Sequence, residues 1–242
     1  SKIMFEKVIL HALPFAGGNK YSYGGLKNFF PQSIVFNPLE LPGRGLRIKE
    51  KLCVNIHDLV EDIFNQISPH LFTPYALYGH SMGATLAYLL VKKIIEEDYP
   101  QPLHLFVSGR GGPSSQAFTS RYLLPDSEFR NLLISLGGIP KEVADNKTLM
   151  EFIEPIIRAD FQVLENYQYD YSLNMNIPLS VFIGREEEIS LATAATWQNE
   201  TNVPIQLHQF EGGHFFIFDH AKCLVEKMTH MLQPHLGDKM FK

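Results

Sequence analysis

The sequence has little of the features that mark several protein classes. Its two cysteines, Cys53 and Cys223, lie far apart and without metal-binding or redox spacing, which excludes a disulfide framework or zinc module. No apolar run approaches the roughly 20 residues of a membrane-spanning helix, and segment 1–6 is too polar and too short for a signal peptide. With 21 Lys and Arg against 26 Asp and Glu, and no basic run, nothing indicates a nucleic-acid partner. We therefore expect a cytoplasmic globular protein with reduced thiols that binds neither membrane nor nucleic acid.

The apolar pattern predicts an α/β fold in a chain of 242 residues, which is long enough for one large core. Short apolar runs typical of buried strands alternate with stretches whose apolar residues recur at helical spacing. The predicted strands are Val8–Leu13, Ile34–Asn37, Tyr75–Tyr78, Leu103–Val107, Leu179–Ile183 and Ile205–Phe210. This alternation favours a mostly parallel central sheet with helices on both faces, forming a single domain over residues 1–242.

Residues 113–171 break the alternation, because they show helical patterns without a good strand. The first apolar stripe ends at Gly137 and Gly138. Two more helices are predicted after it, and Pro155 suits the first position of the second one. We interpret this segment as a helical lid insertion over the carboxyl edge of the sheet, where such sheets bind ligands. An ordinary structural excursion is the alternative.

Residues 79–83 read Gly-His-Ser-Met-Gly, a G-x-S-x-G motif between a predicted strand and a predicted helix. Such a turn holds its serine in a strained conformation that exposes the hydroxyl. Side chains at Gly79 and Gly83 would collide with the neighbouring strand and helix. The motif predicts an α/β-hydrolase fold with Ser81 as the catalytic nucleophile, and we interpret His80 as a packing or turn residue.

The base and the oxyanion hole follow from the same fold. A serine hydroxyl needs a base within hydrogen-bond reach, and His214 stands in the loop after the last predicted strand. The oxyanion hole needs two backbone N–H donors. One should be Met82, the residue after the nucleophile. The other should come from the loop after the first strand, where Phe15 or Ala16 can donate, and Phe15 is our choice.

The acid should follow the strand before that of the histidine. Three carboxylates stand there, Glu186, Glu187 and Glu188, and the order Ser, acid, His permits any of them. Asp160 lies in the insertion, where this fold does not take its acid. Asp219 follows the histidine and is interpreted as the cap of the last helix.

These segments together resemble one family, the type II thioesterases that accompany non-ribosomal peptide and polyketide synthases. The resemblance runs over nearly the whole chain. G-x-S-x-G alone predicts only a hydrolase, so the motifs inside the insertion narrow the resemblance. The segments that carry it are 13–18 (LPFAGG), 41–45 (LPGRG), 79–83 (GHSMG), 124–126 (LPD), 136–140 (LGGIP), 158–161 (RADF) and 212–215 (GGHF).

The resemblance implies a monomeric enzyme that removes stalled or aberrant acyl groups from the phosphopantetheine arm of acyl or peptidyl carrier proteins. It implies an acyl-enzyme on Ser81 and a role in secondary-metabolite biosynthesis, and we expect no cofactor and no metal. The family usually has Asp three residues after the glycine that ends the strand. Here that position, counted from Gly184, is Glu187, and we choose it as the acid.

Other interpretations remain open. The same triad would serve a small-molecule carboxylesterase or lipase, or an acyl transferase that cyclises its product. A catalytically silent hydrolase fold used as a binding module is the alternative from another class. Lys20, Arg44 and Arg47 are candidates to meet a carrier-protein phosphate, but we interpret each as a surface cation.

Overall fold

The computed structural model describes residues 4–172 and 174–237. At its centre is a six-stranded sheet with the order β2-β1-β3-β4-β5-β6, in which every strand pair is parallel. This confirms the predicted sheet, and the strand ends differ from the predicted ones by at most two residues. The strands are β1 Val8–Leu13, β2 Ile34–Pro38, β3 Tyr75–His80, β4 Leu105–Ser108, β5 Leu179–Gly184 and β6 Gln206–Phe210.

Helices connect the strands, as the alternating pattern predicts. None of those in the described ranges combines the length and the apolar character that a membrane span requires. The α-helices are α1 Gly24–Lys27, α2 Ile56–Ile67, α3 Met82–Glu96, α4 Asp126–Ser135, α5 Lys141–Ala144, α6 Lys147–Glu165, α7 Leu191–Ala195, α8 Phe216–Asp219 and α9 Ala221–Leu232. Short 3-10 turns span Gly45–Arg47, Ser68–His70, Pro113–Ser115, Arg121–Leu123, Thr196–Glu200 and Gln233–His235.

The helices cover both faces of the sheet, which buries β3 completely. Successive side chains of a strand point to opposite faces. Leu77 accordingly belongs to the core under α2 and α3. Its neighbours Ala76 and Tyr78 belong to the core under α1 and α9. This two-sided burial explains why the strands read as apolar runs rather than as an alternation.

The segment 113–171, between β4 and β5, contains α4, α5 and α6 and has an apolar cluster of its own. The prediction that Pro155 starts a separate helix is wrong, because α6 runs without a break through it. A proline inside a helix removes one backbone hydrogen bond. Met150 before the proline and Ile157 after it are buried in the same cluster, and this packing keeps the two halves of the helix together.

Candidate active site

The serine of the G-x-S-x-G motif lies on the sharp turn between β3 and α3. Ser81 has φ 57° and ψ −117°, a combination that L residues rarely adopt. Its N–H donates to the carbonyl oxygen of Ser108 at 2.8 Å, and its own carbonyl accepts the N–H of Ala84 at 3.0 Å. The strained conformation is therefore held from both sides, by the end of β4 and by the first turn of α3.

The two glycines of the motif are required by close backbone approaches. A Cβ atom on Gly79 would lie 1.9 Å from the carbonyl oxygen of Gly83. A Cβ atom on Gly83 would lie 2.2 Å from the carbonyl oxygen of Leu13. Backbone atoms cannot move aside as a flexible side chain can. The start of α3 therefore packs against the ends of β1 and β3 only because both positions lack side chains.

His214 and Glu187 are in direct contact. The Nδ1 atom of His214 lies 3.0 Å from Oε1 of Glu187, and Oε2 of the same carboxylate accepts the N–H of Gly184 at 2.7 Å. The Glu187 side chain is only 2% exposed, whereas Glu186 and Glu188 are exposed. A carboxylate at Nδ1 favours the tautomer protonated there, which leaves Nε2 free to act as a base.

The end of β5 positions both members of this pair. Glu187 stands in the turn after β5, and its carboxylate accepts the N–H of Gly184, the last residue of that strand. A Cβ atom on Gly184 would lie 2.5 Å from the carbonyl oxygen of Gly212 and 2.6 Å from that of Gly213. This close approach brings the loop that carries His214 against the end of β5.

His80, the residue before the serine, is buried beside the histidine. Its ring centroid lies 4.8 Å from that of His214. Its Nδ1 lies 2.8 Å from the hydroxyl of Ser108, which is 2.7 Å from the hydroxyl of Tyr78. Burial lowers the pKa of His80 well below its ordinary value, and repulsion from a charged His214 lowers it further. His80 therefore stays neutral, which fits its interpretation as a packing residue.

Two predicted oxyanion donors have free N–H groups. Met82 is the first residue of α3, and its N–H has no partner within the helix. Among the described residues, the N–H groups of Phe15 and Ala16 also lack an acceptor. The Gly17 N–H is not available as an oxyanion donor, since it donates to Asp160 at 2.7 Å. The loop 14–18 lies beside the start of α3, and either Phe15 or Ala16 is available as the second donor.

The structure relates the serine and the histidine through His80, the residue before Ser81, whose ring lies beside that of His214. Ser81 is partly exposed, and no hydrogen bond joins its hydroxyl to His214 in the described part of the chain. Catalytic hydrogen bonds are often long in the absence of substrate and shorten when it binds.

Within residues 4–172 and 174–237, no three His, Cys, Asp or Glu side chains converge where a metal ion could bind.

One predicted surface cation is in fact buried. Arg44 is only 3% exposed and forms an ion pair with Asp160, so its interpretation as a surface residue is wrong. Arg47 is partly exposed and pairs with Glu50 and Asp62. No local pattern indicates the Arg44–Asp160 contact, because the two residues stand 116 positions apart.

The interpretation of Asp219 as a helix cap is also wrong. Asp219 is the last residue of the short helix α8, and the N-cap of α9 is His220, which makes no side-chain capping bond. The extra helical turn after His214 moves the start of α9 past the aspartate.

A serine strained at a strand-to-helix turn, on the carboxyl edge of a parallel sheet, is characteristic of the α/β-hydrolases, and the chain has this fold. Within that class the chain belongs to the thioesterase family, since the thioesterase-domain model matches residues 8–232. It is a hydrolase that acts on thioesters.

Relatives match almost the full length of the chain. The gramicidin S biosynthesis protein GrsT of Aneurinibacillus migulanus is 32% identical over 97% of this chain and 92% of its own length. The crystal structure of ClbQ, from the colibactin NRPS/PKS pathway, matches with a TM-score of 0.88 and 29% identity over 94% of this chain and 97% of ClbQ. BorB, described as the type II thioesterase from the borrelidin biosynthetic cluster, matches with a TM-score of 0.86 and 28% identity over 96% of this chain and 95% of BorB.

Proposed function

We propose that the protein is a type II thioesterase, which hydrolyses acyl groups from the phosphopantetheine arm of carrier proteins in a peptide or polyketide synthase system. The match to BorB, which is described as a type II thioesterase, covers 96% of this chain and carries the proposal. ClbQ, named for an NRPS/PKS pathway, and GrsT, named for gramicidin S biosynthesis, support it. The carrier protein is the partner, and the substrate itself brings the phosphopantetheine, so no cofactor is needed.

In the acylation step Ser81 is the nucleophile, His214 is the base, and two backbone N–H groups form the oxyanion hole. The Ser81 hydroxyl oxygen attacks the thioester carbonyl carbon while Nε2 of His214 accepts the hydroxyl proton. The N–H groups of Met82 and Phe15 stabilise the negative charge that develops on the carbonyl oxygen. The carbon–sulfur bond then breaks, the leaving thiolate takes the proton from His214, and an acyl ester remains on Ser81.

Deacylation repeats these steps with water. A water molecule gives a proton to His214 as its oxygen attacks the ester carbonyl, and the bond to Ser81 then breaks with return of that proton to the serine oxygen. The products are the free carboxylic acid and the regenerated hydroxyl. In both steps Glu187 keeps the Nδ1–H of His214 oriented and stabilises the imidazolium.

The leaving group makes a thioester an easier substrate than an amide. A thiol has a pKa of roughly 8.5, so the thiolate departs with little help from a general acid. Acylation therefore needs little general-acid assistance, and the main task of the triad in this step is to activate Ser81. We propose that the protein acts as a monomer, as one domain with residues 113–171 as the lid.

The test is hydrolysis of a series of acyl groups loaded on a phosphopantetheinylated carrier protein, with Ser81→Ala as the control. We expect release that depends on Ser81 and is faster than hydrolysis of matched oxygen esters. Ester hydrolysis without release from any carrier would instead indicate a carboxylesterase. A cyclised product would indicate acyl transfer, and failure of a serine-reactive phosphonate to label Ser81 would indicate a silent binding module.

A further inference from the structure

A buried ion pair joins the insertion to the rest of the molecule. Arg44, in the loop after β2, donates from Nη1 and Nη2 to the two carboxylate oxygens of Asp160 in α6, at 2.5 and 2.8 Å. The side chains are 3% and 0% exposed. An unpaired charge in such a site is strongly unfavourable, so the two groups hold each other in one geometry.

Both partners also bond to the loop 14–18, which carries the proposed oxyanion donors. Oδ2 of Asp160 accepts the N–H of Gly17 at 2.7 Å. Nη1 of Arg44 lies 3.4 Å from the carbonyl oxygen of Gly18. The loop is therefore held at two consecutive residues, Gly17 and Gly18, by one ion pair.

Helix α6 also packs closely against this loop. Gly17 has φ +79°, and a Cβ atom on it would lie 2.5 Å from Cγ1 of Ile157. Ile157 precedes Asp160 by three residues, so both lie on the same side of α6. The conformation of the loop thus depends on where α6 lies.

We propose that Arg44 and Asp160 are positioning residues for thioester hydrolysis, because their ion pair sets the conformation of the loop 14–18. Asp160 takes up the Gly17 N–H, and the neighbouring N–H groups of Phe15 and Ala16 remain free to face the reacting carbonyl. Displacement of α6 would then disturb the oxyanion hole. This inference rests on the proposed function, since it concerns the same site.

A second buried carboxylate of α6 provides a matched control. Glu165 accepts bonds from the hydroxyl of Thr119, from the backbone N–H groups of Arg121 and Tyr122, and from the Arg121 side chain. It holds the start of the insertion to α6, and its bonds do not involve the loop 14–18. A loss of stability without loss of positioning is therefore expected when Glu165 is changed.

The experiment compares Asp160→Asn with Glu165→Gln in the full chain. Active sites are counted by complete labelling of Ser81 with a phosphonate, and kcat is expressed per labelled site. For Asp160→Asn we expect kcat per site to fall about 10- to 100-fold with KM changed less than about threefold, because misplaced donors stabilise the transition state poorly. Glu165→Gln should lower Tm but keep kcat per site within about threefold of the unaltered protein.

An equal kcat per site in the two variants would overturn the inference and leave the ion pair a purely structural element. Should Asp160→Asn fail to fold, Arg44→Lys supplies the test, because a lysine keeps the charge but cannot bond both carboxylate oxygens in the planar geometry of arginine. It should lower kcat per site by about threefold or more, and an unchanged value would again refute positioning. Failure of the proposed function is a different result, namely no Ser81-dependent hydrolysis of carrier thioesters by the unaltered chain.

Discussion

Glu187 joins the imidazole of His214 to the end of β5, with one carboxylate oxygen 3.0 Å from Nδ1 and the other accepting the N–H of Gly184 at 2.7 Å. The histidine is therefore oriented by a side chain that is itself held by the sheet. An orienting group fixed in this way restricts the imidazole more than a mobile carboxylate would.

Removal of the Glu187 carboxylate should lower catalysis without unfolding the protein. For Glu187→Ala we expect kcat for a carrier thioester to fall roughly 10²- to 10⁴-fold, because the imidazole loses its orientation and its charge partner. The exposed neighbours provide controls, and Glu186→Ala and Glu188→Ala should keep kcat within about twofold. An unchanged kcat in Glu187→Ala, with a loss in either control, would show that the acid is a different glutamate.

The strain at Ser81 should be measurable as stability. Glycine adopts positive φ without steric cost, whereas another residue in such a region is strained by about 1–3 kcal/mol. Ser81→Gly should therefore have a higher free energy of unfolding than Ser81→Ala, by about 1 kcal/mol after the larger chain entropy of unfolded glycine is included. Urea unfolding of the two inactive variants gives the comparison, and a more stable alanine variant would show that φ 57° is not strained here.

The close approach at Gly83 should make that position intolerant of alanine. A methyl group there meets the Leu13 carbonyl oxygen at 2.2 Å, and we expect Gly83→Ala to lower the free energy of unfolding by at least about 2 kcal/mol. Gly24, at the start of α1, has open space around it. Gly24→Ala should be neutral or stabilising by up to about 1 kcal/mol. Similar unfolding midpoints for both variants would contradict the packing of α3 against β1.

His104, just before β4 at the amino edge of the sheet, should make stability depend on pH. Its Nε2 lies 2.7 Å from the hydroxyl of Ser180 and its ring stacks on Phe106, and burial lowers its pKa from 6.5 to about 4. The unfolded chain therefore binds a proton in the window between pH 6.5 and 4 that the folded protein does not. The contribution of His104 to the free energy of unfolding is fully present above pH 6.5 and is lost as the pH falls towards 4.

The variant His104→Gln removes this titration. Between pH 7.5 and 4.5 it should lose less free energy of unfolding than the unaltered protein, by up to about 3 kcal/mol. Its thioesterase activity at pH 7.5 should be unchanged, because the residue lies at the sheet edge opposite Ser81. Parallel stability curves for the two proteins would show that His104 does not titrate differently on folding.

Features that depend on neighbouring residues were predictable. The strained turn at Ser81 needs a glycine two positions away on each side, and this pattern is visible within five residues of the sequence. The strands were recognisable because burial on both faces makes each an apolar run. The position after β5 limited the acid to Glu186, Glu187 and Glu188, and the family resemblance selected Glu187 among them. The structure places that carboxylate against His214.

Features that depend on contacts between distant residues were not predictable from the sequence. Pro155 looked like a helix start, but burial of Met150 and Ile157 in one cluster outweighs the local preference of proline. Arg44 looked like a surface cation because arginine usually is one, and its partner Asp160 stands in another part of the chain. The conformational and burial preferences of single residues do not include contacts of this kind.

The amino-acid sequence by itself determined the alternation of strands and helices, the strained turn at Ser81 and the place of His214 after the last strand. It also limited the acid to three neighbouring glutamates, because each of these features follows from backbone sterics or from the position along one segment. Only the tertiary structure decided that α6 continues through Pro155 and that Arg44 and Asp160 bond to the loop 14–18. Those outcomes depend on which groups meet after the chain has closed on itself, when burial makes an ion pair or an apolar contact outweigh the preferences of single residues.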